Sequence, residues 1–493
     1  MMLNLFTFNY ISAEITLAVL SFMLVLVGLI VDIFKKESKV HLVFAMAILA
    51  LCAYILLYKQ NGELIIGFNN LFISHRYIIF AKLVVLISAS ASILFAMGYG
   101  SINKFCLKPE YPILILFSVL GMMVMLSAND FMSLYVGLEL QSLCLYILTS
   151  FNKDDSKSSE AAMKYFILGA IATGLILYGV SLIYGFSGTT NFSVIHDLYH
   201  SSTGVQQIPL AVLIGIILTI AGLCFKIAAV PFHMWAPDVY QGAPLPVTAF
   251  LATTPKAAAL LLIAKLLLST FNVWIDAWQQ VLKVIAVLSL LVGALGALRQ
   301  NDIKRLLAYS SIGHIGFMLI GLISYSIPGL QSTLIYICIY ITMNIGIFAF
   351  ISMLQKPSEE NFSISIFKGL NKRSPIMAFC IAVLLLSLAG IPPLAGFFAK
   401  FYVLNAAIAE ELYVLATLGL ITAVISTFYY LKIIKFMYFE DITLKTPALT
   451  TSYTIENILI ASSATTFNLI FILFPSSLYG ITSHIAQVLF HNT

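Results

Sequence analysis

Long apolar runs recur along almost the whole chain, and they constrain its fold more than any other feature of the sequence. Each run is about 20 residues long, which is the length that an α-helix needs to cross the hydrocarbon core of a bilayer. Backbone polar groups in lipid must be satisfied within their own segment, so these runs are expected to form membrane-spanning helices. Only 10% of the 493 residues are charged, against about 25% in soluble domains. The sequence therefore predicts an all-α polytopic membrane protein.

We expect about fourteen spans, which are numbered here from first to fourteenth. The last span is expected to be short or kinked at Pro475. The first residues lack the basic start and the small-residue cleavage site of a signal peptide, so the first span is expected to be retained. The predicted limits are 11–32, 40–58, 77–99, 111–127, 129–151, 160–184, 208–235, 244–270, 279–299, 303–325, 330–354, 374–408, 412–438 and 455–488.

Basic residues are distributed very unequally between the loops that these spans leave. The loops after even-numbered spans carry two, Lys59 and Arg76. By the positive-inside rule, both termini are expected on the non-cytoplasmic side of a bacterial inner membrane. The loops after odd-numbered spans carry 17, namely Lys35, Lys36, Lys39, Lys104, Lys108, Lys153, Lys157, Arg299, Lys304, Arg305, Lys356, Lys368, Lys372, Arg373, Lys432, Lys435 and Lys445.

Motifs for cofactors are missing from the sequence. The six cysteines are scattered and include no CxxC pair, which argues against an iron–sulfur, zinc or disulfide site. Neither a GxGxxG nor a Walker A motif occurs, so nucleotide binding is not expected. We expect no cofactor, no metal and no nucleic acid bound to this chain.

Lysines inside the apolar runs are the strongest indication of function. An ionisable group at bilayer depth costs about 2.5 to 3.5 kcal/mol on insertion scales, so it usually marks a functional path. Lys82, Lys265 and Lys283 lie within about two turns of a predicted end and are expected to snorkel to the interface. Lys164 follows Glu160 by four residues and is equally well explained as a surface ion pair. The seven lysines within spans are Lys82, Lys164, Lys226, Lys256, Lys265, Lys283 and Lys400.

Four ionisable side chains are too deep to snorkel, and three of them lie close to prolines. Glu139 is the only acid near the middle of a predicted span. Proline removes a backbone hydrogen bond and clashes with the preceding turn, so the helices are expected to kink or break at these prolines. Broken helices at membrane depth are tolerated where protein or a water-filled cavity satisfies the freed groups, so these lysines are predicted to face a polar interior. The lysines are Lys226, Lys256 and Lys400, and the prolines are Pro231, Pro255, Pro392 and Pro393.

An internal repeat relates two parts of the chain. We infer two five-helix halves, spans four to eight and nine to thirteen, and an odd number of helices gives the halves opposite orientations, with spans seven and twelve broken. The predicted units are 1–110 for spans one to three, 111–270 and 279–440 for the two repeats, and 450–493 for span fourteen. The recurring pairs are Asn129-Asp130 with Asn301-Asp302 at an offset of 172, Glu139 with His314 at 175, and Lys226 with Lys400 at 174.

A carboxylate and several lysines in a low-dielectric interior favour proton transfer. A carboxylate about 6 Å from a buried ammonium stabilises it by roughly 3 kcal/mol at an effective dielectric of about 20. That energy is enough to switch a buried lysine between its protonated and neutral forms near neutral pH. The residues predict a relay from Glu139 and Lys226 through Lys256 and His314 to Lys400. A scaffold whose buried charges form static ion pairs is the alternative.

Three stretches carry a resemblance to a known family: GLCFKIAAVPFHMWAPDVYQGAPLPVTAFLATTPKAAAL, SSIGHIGFMLIGL and GIPPLAGFFAKFYVL. They resemble subunit N of the proton-translocating NADH:quinone oxidoreductase, respiratory complex I, whose mitochondrial counterpart is subunit 2. The resemblance covers essentially the whole chain, and WAPDVYQGAP is its most specific part. The related subunit M typically has a glutamate where this chain has Lys400. An Mrp-type sodium/proton antiporter subunit, which shares the fold and the buried charges, is the alternative.

The resemblance also implies roles for individual residues and partners. FMN, the iron–sulfur clusters and the quinone site would belong to partner subunits, and the expected partners are other membrane-arm subunits and lipids. His233, Trp235, Pro237 and Asp238 are expected to be structural residues of a tight loop. The implied relay comprises Glu139, which tunes the first lysine; Lys226 of the inward half-channel; Lys256, which connects the halves; His314 of the central axis; Lys400 of the outward half-channel; and Lys164 of the sixth span.

Overall fold

Apolar helices form nearly all of the regular structure, which confirms the predicted all-α polytopic class. The computed structural model describes residues 11–34, 39–59, 62–101, 103–200, 209–355, 362–441 and 453–491. Within those ranges one two-stranded antiparallel hairpin occurs, formed by β1 (Ile65–Gly67) and β2 (Phe72–Ser74). The helices are α1 (Ser12–Phe34), α2 (Val40–Lys59), α3 (Arg76–Tyr99), α4 (Glu110–Ser127), α5 (Phe131–Thr149), α6 (Ser156–Ser187), α7 (Phe192–His200), α8 (Leu210–Ile227), α9 (Trp235–Gly242), α10 (Leu245–Lys265), α11 (Ile275–Leu298), α12 (Ile303–Ile323), α13 (Ile327–Met353), α14 (Leu370–Arg373), α15 (Pro375–Ala389), α16 (Ala395–Ala409), α17 (Tyr413–Phe439), α18 (Ile455–Ile470) and α19 (Pro475–His491).

The described helices follow the predicted spans closely. Twelve of them are long and apolar enough to cross a membrane, and α18 and α19 together form a further candidate, bent by 88° where a kink at Pro475 was expected. The twelfth predicted span consists of two shorter apolar helices, α15 and α16. Counting that pair as one span as well would give fourteen, and the exact number stays a prediction.

The prolines break two of the three helices that carry deep lysines. Helix α8 ends at Ile227, four residues before Pro231, because Ala228 adopts a left-handed conformation with φ 60°. The helix is interrupted again between α15 and α16, at residues 390–394, which include Pro392 and Pro393. Pro255 does not break its helix, since α10 continues through it from Leu245 to Lys265, and a kink there stays a prediction. Neighbouring helices can satisfy backbone groups near a proline, and here the Tyr340 hydroxyl donates to the Ala252 carbonyl at 3.2 Å.

One backbone arrangement occurs twice, 172 residues apart. Asp130 caps α5 by accepting a hydrogen bond from Met132 N, and Asp302 caps α12 in the same way from Lys304 N. Each aspartate also forms a β-bridge, Asp130 with Asn191 and Asp302 with Ser363. The same spacing on both strands of the bridge is what a repeat would produce. The division into two inverted five-helix units stays a prediction.

Helix packing repeats at the same spacing. A Cβ on Gly121 of α4 would lie 2.6 Å from the Gly137 carbonyl of α5, so only glycine allows this approach. A Cβ on Gly293 of α11 would lie 2.9 Å from the Tyr309 carbonyl of α12. Small residues are the usual way in which membrane helices pack closely without a hydrophobic driving force. Gly121 and Gly293 are again 172 residues apart, as are Gly137 and Tyr309.

The two ends of the helix bundle differ in charge. One end, called the basic face, carries residues 150–157, 236–244, 299–305, 362–374 and 440–441, with ion pairs such as Lys368 to Glu440 at 2.7 Å. The other end, called the lysine-poor face, carries residues 62–75, 128–130, 188–192, 266–274 and 410–412. Of the basic residues counted in the loops, Lys35, Lys36, Lys356 and Lys445 lie outside the described residues. Between the faces, α10 is wholly buried and α12 and α13 are 89% buried, so these three helices form the centre.

Candidate functional site

Polar side chains form a row through the centre of the molecule, from α5 to α16. Lys226, Lys256, His314 and Lys400 are all buried, whereas Glu139 at the start of the row is half-buried. The four buried residues lie on four different helices, α8, α10, α12 and α16. All five were predicted from the sequence, and the geometry around each one determines what it can do.

Glu139 and Lys226 lie at the first end of the row but form no ion pair with each other within the described part of the chain. The Glu139 carboxylate accepts a hydrogen bond from the Thr173 hydroxyl of α6 at 2.8 Å. Lys226 Nζ donates to Ser142 Oγ at 2.7 Å. Ser142 follows Glu139 by three residues on α5, so both lie on one face of that helix. The sequence predicted the Glu139 carboxylate beside the Lys226 ammonium, but the Ser142 hydroxyl lies there instead.

The break after Lys226 is held by side chains that satisfy its free backbone groups. Val230 N donates to Ser289 Oγ at 2.9 Å, and Trp235 Nε1 donates to the Phe225 carbonyl at 2.9 Å. Trp235 is buried and stacks on Tyr165, with ring centroids 4.5 Å apart. The expectation that this loop is structural agrees with these contacts. They hold the end of α8, and with it Lys226, in place.

Lys256 lies on the wholly buried helix α10. Its Nζ donates to Ser311 Oγ of α12 at 2.7 Å. The ammonium lies 5.0 Å from the ring centroid of Tyr240, a distance at which an aromatic face attracts a cation. Lys256 is paired with no carboxylate among the described residues. Its environment consists of a hydroxyl and aromatic rings.

His314 connects hydroxyl groups from two further helices. Its Nδ1 is 2.8 Å from the Tyr336 hydroxyl of α13, and its Nε2 is 3.2 Å from the Tyr430 hydroxyl of α17. Tyr430 is in turn hydrogen-bonded to Ser310 of α12. Either ring nitrogen can carry the proton, because each faces a hydroxyl that both donates and accepts. This arrangement is suited to passing a proton across the ring.

Lys400 ends the row beyond the break between α15 and α16. Its Nζ donates to the Ala389 carbonyl at 2.7 Å, at the end of α15, where carbonyls lack intrahelical partners. The ammonium lies 5.3 Å from the Phe317 ring centroid. Lys400 and His314 line a common cavity of about 10 Å³, close to the space that one water molecule needs. A single water could therefore bridge the imidazole and the ammonium.

Lys164 lies apart from this row, at the basic face. Its Nζ is 2.8 Å from Glu160 Oε1 and 2.8 Å from Asp238 Oδ2, and the side chain is 43% exposed. Asp238 also accepts from Arg305 at 2.8 Å. Burial raises the pKa of Asp238, but hydrogen bonds from Lys164 and Arg305 outweigh it and hold that pKa below its ordinary value. The structure thus places Lys164 in a surface ion-pair network around Asp238, and its part in the relay stays a prediction.

Several residues escaped the sequence reasoning. The hydroxyls of Ser142, Ser311, Tyr336 and Tyr430 contact the row directly, but serines and tyrosines are common in apolar helices and their spacing gives no signal. Glu14 is also buried, although Glu139 was expected to be the only deep acid. An acid inside an apolar run was the signal available for Glu14, and its position near the predicted end of the first span concealed it.

Two of the three lysines expected to snorkel do not. Lys82 is fully buried and its Nζ lies 2.5 Å from Glu14 Oε1. Lys265 is buried and its Nζ donates to the carbonyls of Leu126 and Ala128 at 2.9 and 2.6 Å. Lys82 has a carboxylate beside it and Lys265 has two carbonyl acceptors, so both ammonium groups have oxygen neighbours inside the protein and need not reach the interface. Lys283 is half-buried beside an apolar groove.

The chain is similar in sequence and in fold to membrane subunits of known complexes. Residues 128–426 match the family described as NADH:quinone oxidoreductase/Mrp antiporter, TM. The chain is 45% identical over 480 residues to NADH-quinone oxidoreductase subunit N of Paramagnetospirillum magneticum, covering 97% of each protein. A chain of respiratory complex I from Thermus thermophilus superposes with a TM-score of 0.79 at 28% identity, covering 96% of this chain and 99% of that one. A chain of the Mrp complex from Dietzia sp. shares the fold at a TM-score of 0.82 and 20% identity, over 98% of both.

Proposed function

Because the chain belongs to the subunit N family of NADH-quinone oxidoreductases, we propose that it carries protons through the row Glu139, Lys226, Lys256, His314 and Lys400. It is a membrane-arm subunit of complex I, and its partners are other subunits of that arm. Oxidation of NADH and reduction of quinone occur in partner subunits, where FMN and the iron–sulfur clusters are expected. This chain supplies the proton-translocating part of the reaction.

The observation that carries the proposal is the set of neutral hydrogen-bonding partners around buried bases. Lys226 and Lys256 each donate to a serine, and Lys400 donates to a carbonyl. A buried ammonium with no counter-ion is costly, so each lysine gains stability by releasing its proton to a neighbour. A static scaffold would instead be expected to pair these charges with carboxylates. The row therefore fits transient protonation better than permanent ion pairs.

Proton steps along the row follow from these contacts. A proton on Lys226 would pass to Lys256 through hydroxyl groups and water, with one base losing the proton that the next base gains. Lys256 is bonded to Ser311, three residues before His314 on α12, and His314 shares a water-sized cavity with Lys400. Between His314 and Lys400 one water is sufficient to complete the transfer.

Glu139 is placed where a partner subunit can influence it. It is half-buried, whereas the bases that follow it are buried, and its carboxylate is held by Thr173. Movement of the carboxylate towards Lys226 would stabilise the ammonium, and movement away would favour release of the proton. This provides a route by which redox events in other subunits control the row.

Orientation follows from the charge of the two faces. We place the basic face in the cytoplasm and both termini on the opposite side, because basic loops are retained inside. Protons would then be taken up near Lys226, whose broken helix ends towards the basic face, and be released beyond Lys400. Lys164 and Asp238 are proposed to provide a charged vestibule for uptake.

The test uses the intact complex reconstituted into liposomes with Lys226→Met in this chain. NADH-driven acidification and NADH oxidation are measured together, and Lys283→Met serves as the matched control, since Lys283 lies outside the row. The proposal predicts that acidification by Lys226→Met falls by on the order of 10²-fold, as expected when a proton-transfer group is removed. Pumping at the wild-type ratio to NADH oxidation in Lys226→Met would overturn it.

A further inference from the structure

A second group of buried ionisable side chains lies near the lysine-poor face, and the relay does not use it. It consists of Glu14 of α1, His75 just before α3, Lys82 of α3 and Lys265 of α10, and is called the Glu14 cluster. All four side chains are at most 5% exposed. Glu14, Lys82 and Lys265 lie on three helices that are far apart in sequence, and His75 directly precedes one of them, α3, so the fold brings the three helices together.

The cluster converges on a single turn, the C-terminal end of α4. Ser127 Oγ donates to Glu14 Oε1 at 3.3 Å, and that oxygen lies 2.5 Å from Lys82 Nζ. The carbonyls on either side of Ser127, those of Leu126 and Ala128, both accept from Lys265 Nζ. One carboxylate and two ammonium groups therefore surround three consecutive residues.

Charge within the cluster is not balanced. The Glu14 carboxylate compensates one ammonium, that of Lys82, whereas Lys265 is held by carbonyls alone. A third base, the His75 imidazole, is buried as well, and its Nδ1 has no hydrogen-bond partner among the described residues. The second carboxylate oxygen of Glu14 is in the same condition. Buried groups left unsatisfied in this way can accept a proton or a water molecule.

A cavity connects the cluster with the lysine-poor face. It has a volume of about 200 Å³, and both His75 and Lys265 line it. Several water molecules fit, since each occupies about 30 Å³ in the liquid. The lining also includes Asp197, whose side chain is 80% exposed, so the cavity reaches the molecular surface. Groups on the other lining elements that would face the water are Asn129, Ser193, His196, Ser269 and Thr270.

We propose that the Glu14 cluster is a proton-binding site that exchanges protons with water at the lysine-poor face through this cavity. The step is a simple transfer in which a lysine or the carboxylic acid releases a proton and His75 or a cavity water gains it. The proposal rests on the proposed function, because protons would have to reach the cluster from the relay. Helix α10 joins the two, carrying both Lys256 and Lys265, and Thr254 is hydrogen-bonded to Ser88 of α3 at 2.7 Å.

The first test measures pumping by the intact complex in liposomes with Glu14→Gln or Lys265→Met, each against Lys283→Met as control. The proposal predicts that protons pumped per NADH oxidised fall at least severalfold in both variants and remain at the wild-type ratio in the control. The double variant Glu14→Gln with Lys82→Met removes both charges of the ion pair at once, so neither partner is left as an unpaired charge. Recovery of the wild-type ratio in the double variant would overturn the proposal, because a purely structural ion pair predicts that recovery.

Failure of this proposal is distinguishable from failure of the relay. If Lys226→Met stops pumping while Glu14→Gln and Lys265→Met pump normally, the cluster is not a proton site and the relay stands. If none of the three reduces pumping, both proposals fail.

The second test asks whether water reaches His75. His75→Cys is treated with a membrane-impermeant thiol reagent in sealed vesicles of either orientation, with the unsubstituted chain giving the background from its own cysteines. Labelling above background from the lysine-poor side alone is expected. Absence of labelling from that side would overturn the proposed path, even in a variant that assembles normally.

Discussion

Lys226 and Lys400 both lie close to breaks in their helices, yet they occupy opposite sides of those breaks. Lys226 is in the last turn of α8, before the break at Ala228, whereas Lys400 is in the second turn of α16, after the break at Gly390. The offset of 174 between the lysines therefore does not relate equivalent positions, since the left-handed residues that end α8 and α15 are 162 apart. The similarity in sequence spacing overstated the equivalence of the two lysines.

The hydrogen-bond acceptors of the two lysines also differ. Lys226 donates to a serine beside a half-buried glutamate, which gives the first half a carboxylate that can approach or leave. Lys400 donates to a backbone carbonyl, which cannot change its charge. The comparison suggests that control is applied in the first half and that the second half passes on what it receives. Four variants test this difference.

Lys400→Met is expected to stop pumping as completely as Lys226→Met, by on the order of 10²-fold, because the proton loses its last acceptor in the row. If both lysines carry the same proton in series, the double variant pumps no worse than either single variant. The measurement is the NADH-driven acidification of liposomes that contain the reconstituted complex. If the double variant pumps less than either single variant, by the product of the two effects, Lys226 and Lys400 act independently and do not carry the same proton in series.

Tyr430→Phe removes the hydroxyl next to His314 Nε2 and leaves the ring in place. We expect pumping to slow by about tenfold, because one proton-transfer partner is lost while Tyr336 still orients the imidazole. Thr427→Val on the same helix is the control, since its hydroxyl donates to its own helix at Ala423. An unchanged pumping rate in Tyr430→Phe would show that His314 does not use this hydroxyl.

Glu139→Gln tests control directly. The amide oxygen can still accept the hydrogen bond from Thr173, but the side chain has no charge. Pumping is therefore expected to fall only severalfold, and its pH profile is expected to change. The pH profile of pumping between about pH 6 and 9 is the measurement, since it reports groups that titrate in the working range. A profile identical to that of the wild type, at an unchanged rate, would contradict a controlling role in the first half.

Asp238→Asn is expected to have the smallest effect. Its ion pairs with Lys164 and Arg305 are partly exposed, and such pairs contribute about 1 kcal/mol or less. Because the pKa of Asp238 is held below its ordinary value, the stabilisation is present above pH of about 3.9 and is lost as pH falls through the lower value in the folded chain. Thermal unfolding of wild type and variant should therefore differ slightly at pH 7 and converge in acid. A difference that grows in acid would contradict this account.

The depth of the relay lysines was predictable from the sequence, whereas the contacts of these lysines and the depth of Lys82, Lys265 and Glu14 were not. Lys226, Lys256 and Lys400 stand out because a charge in an apolar run is rare, and the aspartate caps at Asp130 and Asp302 follow from local backbone chemistry. The helix does not break at Pro255, where the Tyr340 hydroxyl of a neighbouring helix satisfies a carbonyl in that part of α10. Lys82 was misjudged because its partner, Glu14, lies 68 residues away in sequence and only the fold brings them together.

The most direct test of the relay is the number of protons pumped per NADH oxidised by the intact complex with Lys256→Met, because Lys256 lies on the wholly buried central helix α10. In Lys256→Met this ratio is expected to fall although NADH oxidation continues in the partner subunits. In the control Lys283→Met the ratio is expected to stay at the wild-type value. If the Lys256→Met complex contains the variant chain in normal amount and still pumps at the wild-type ratio, Lys256 carries no proton in the relay.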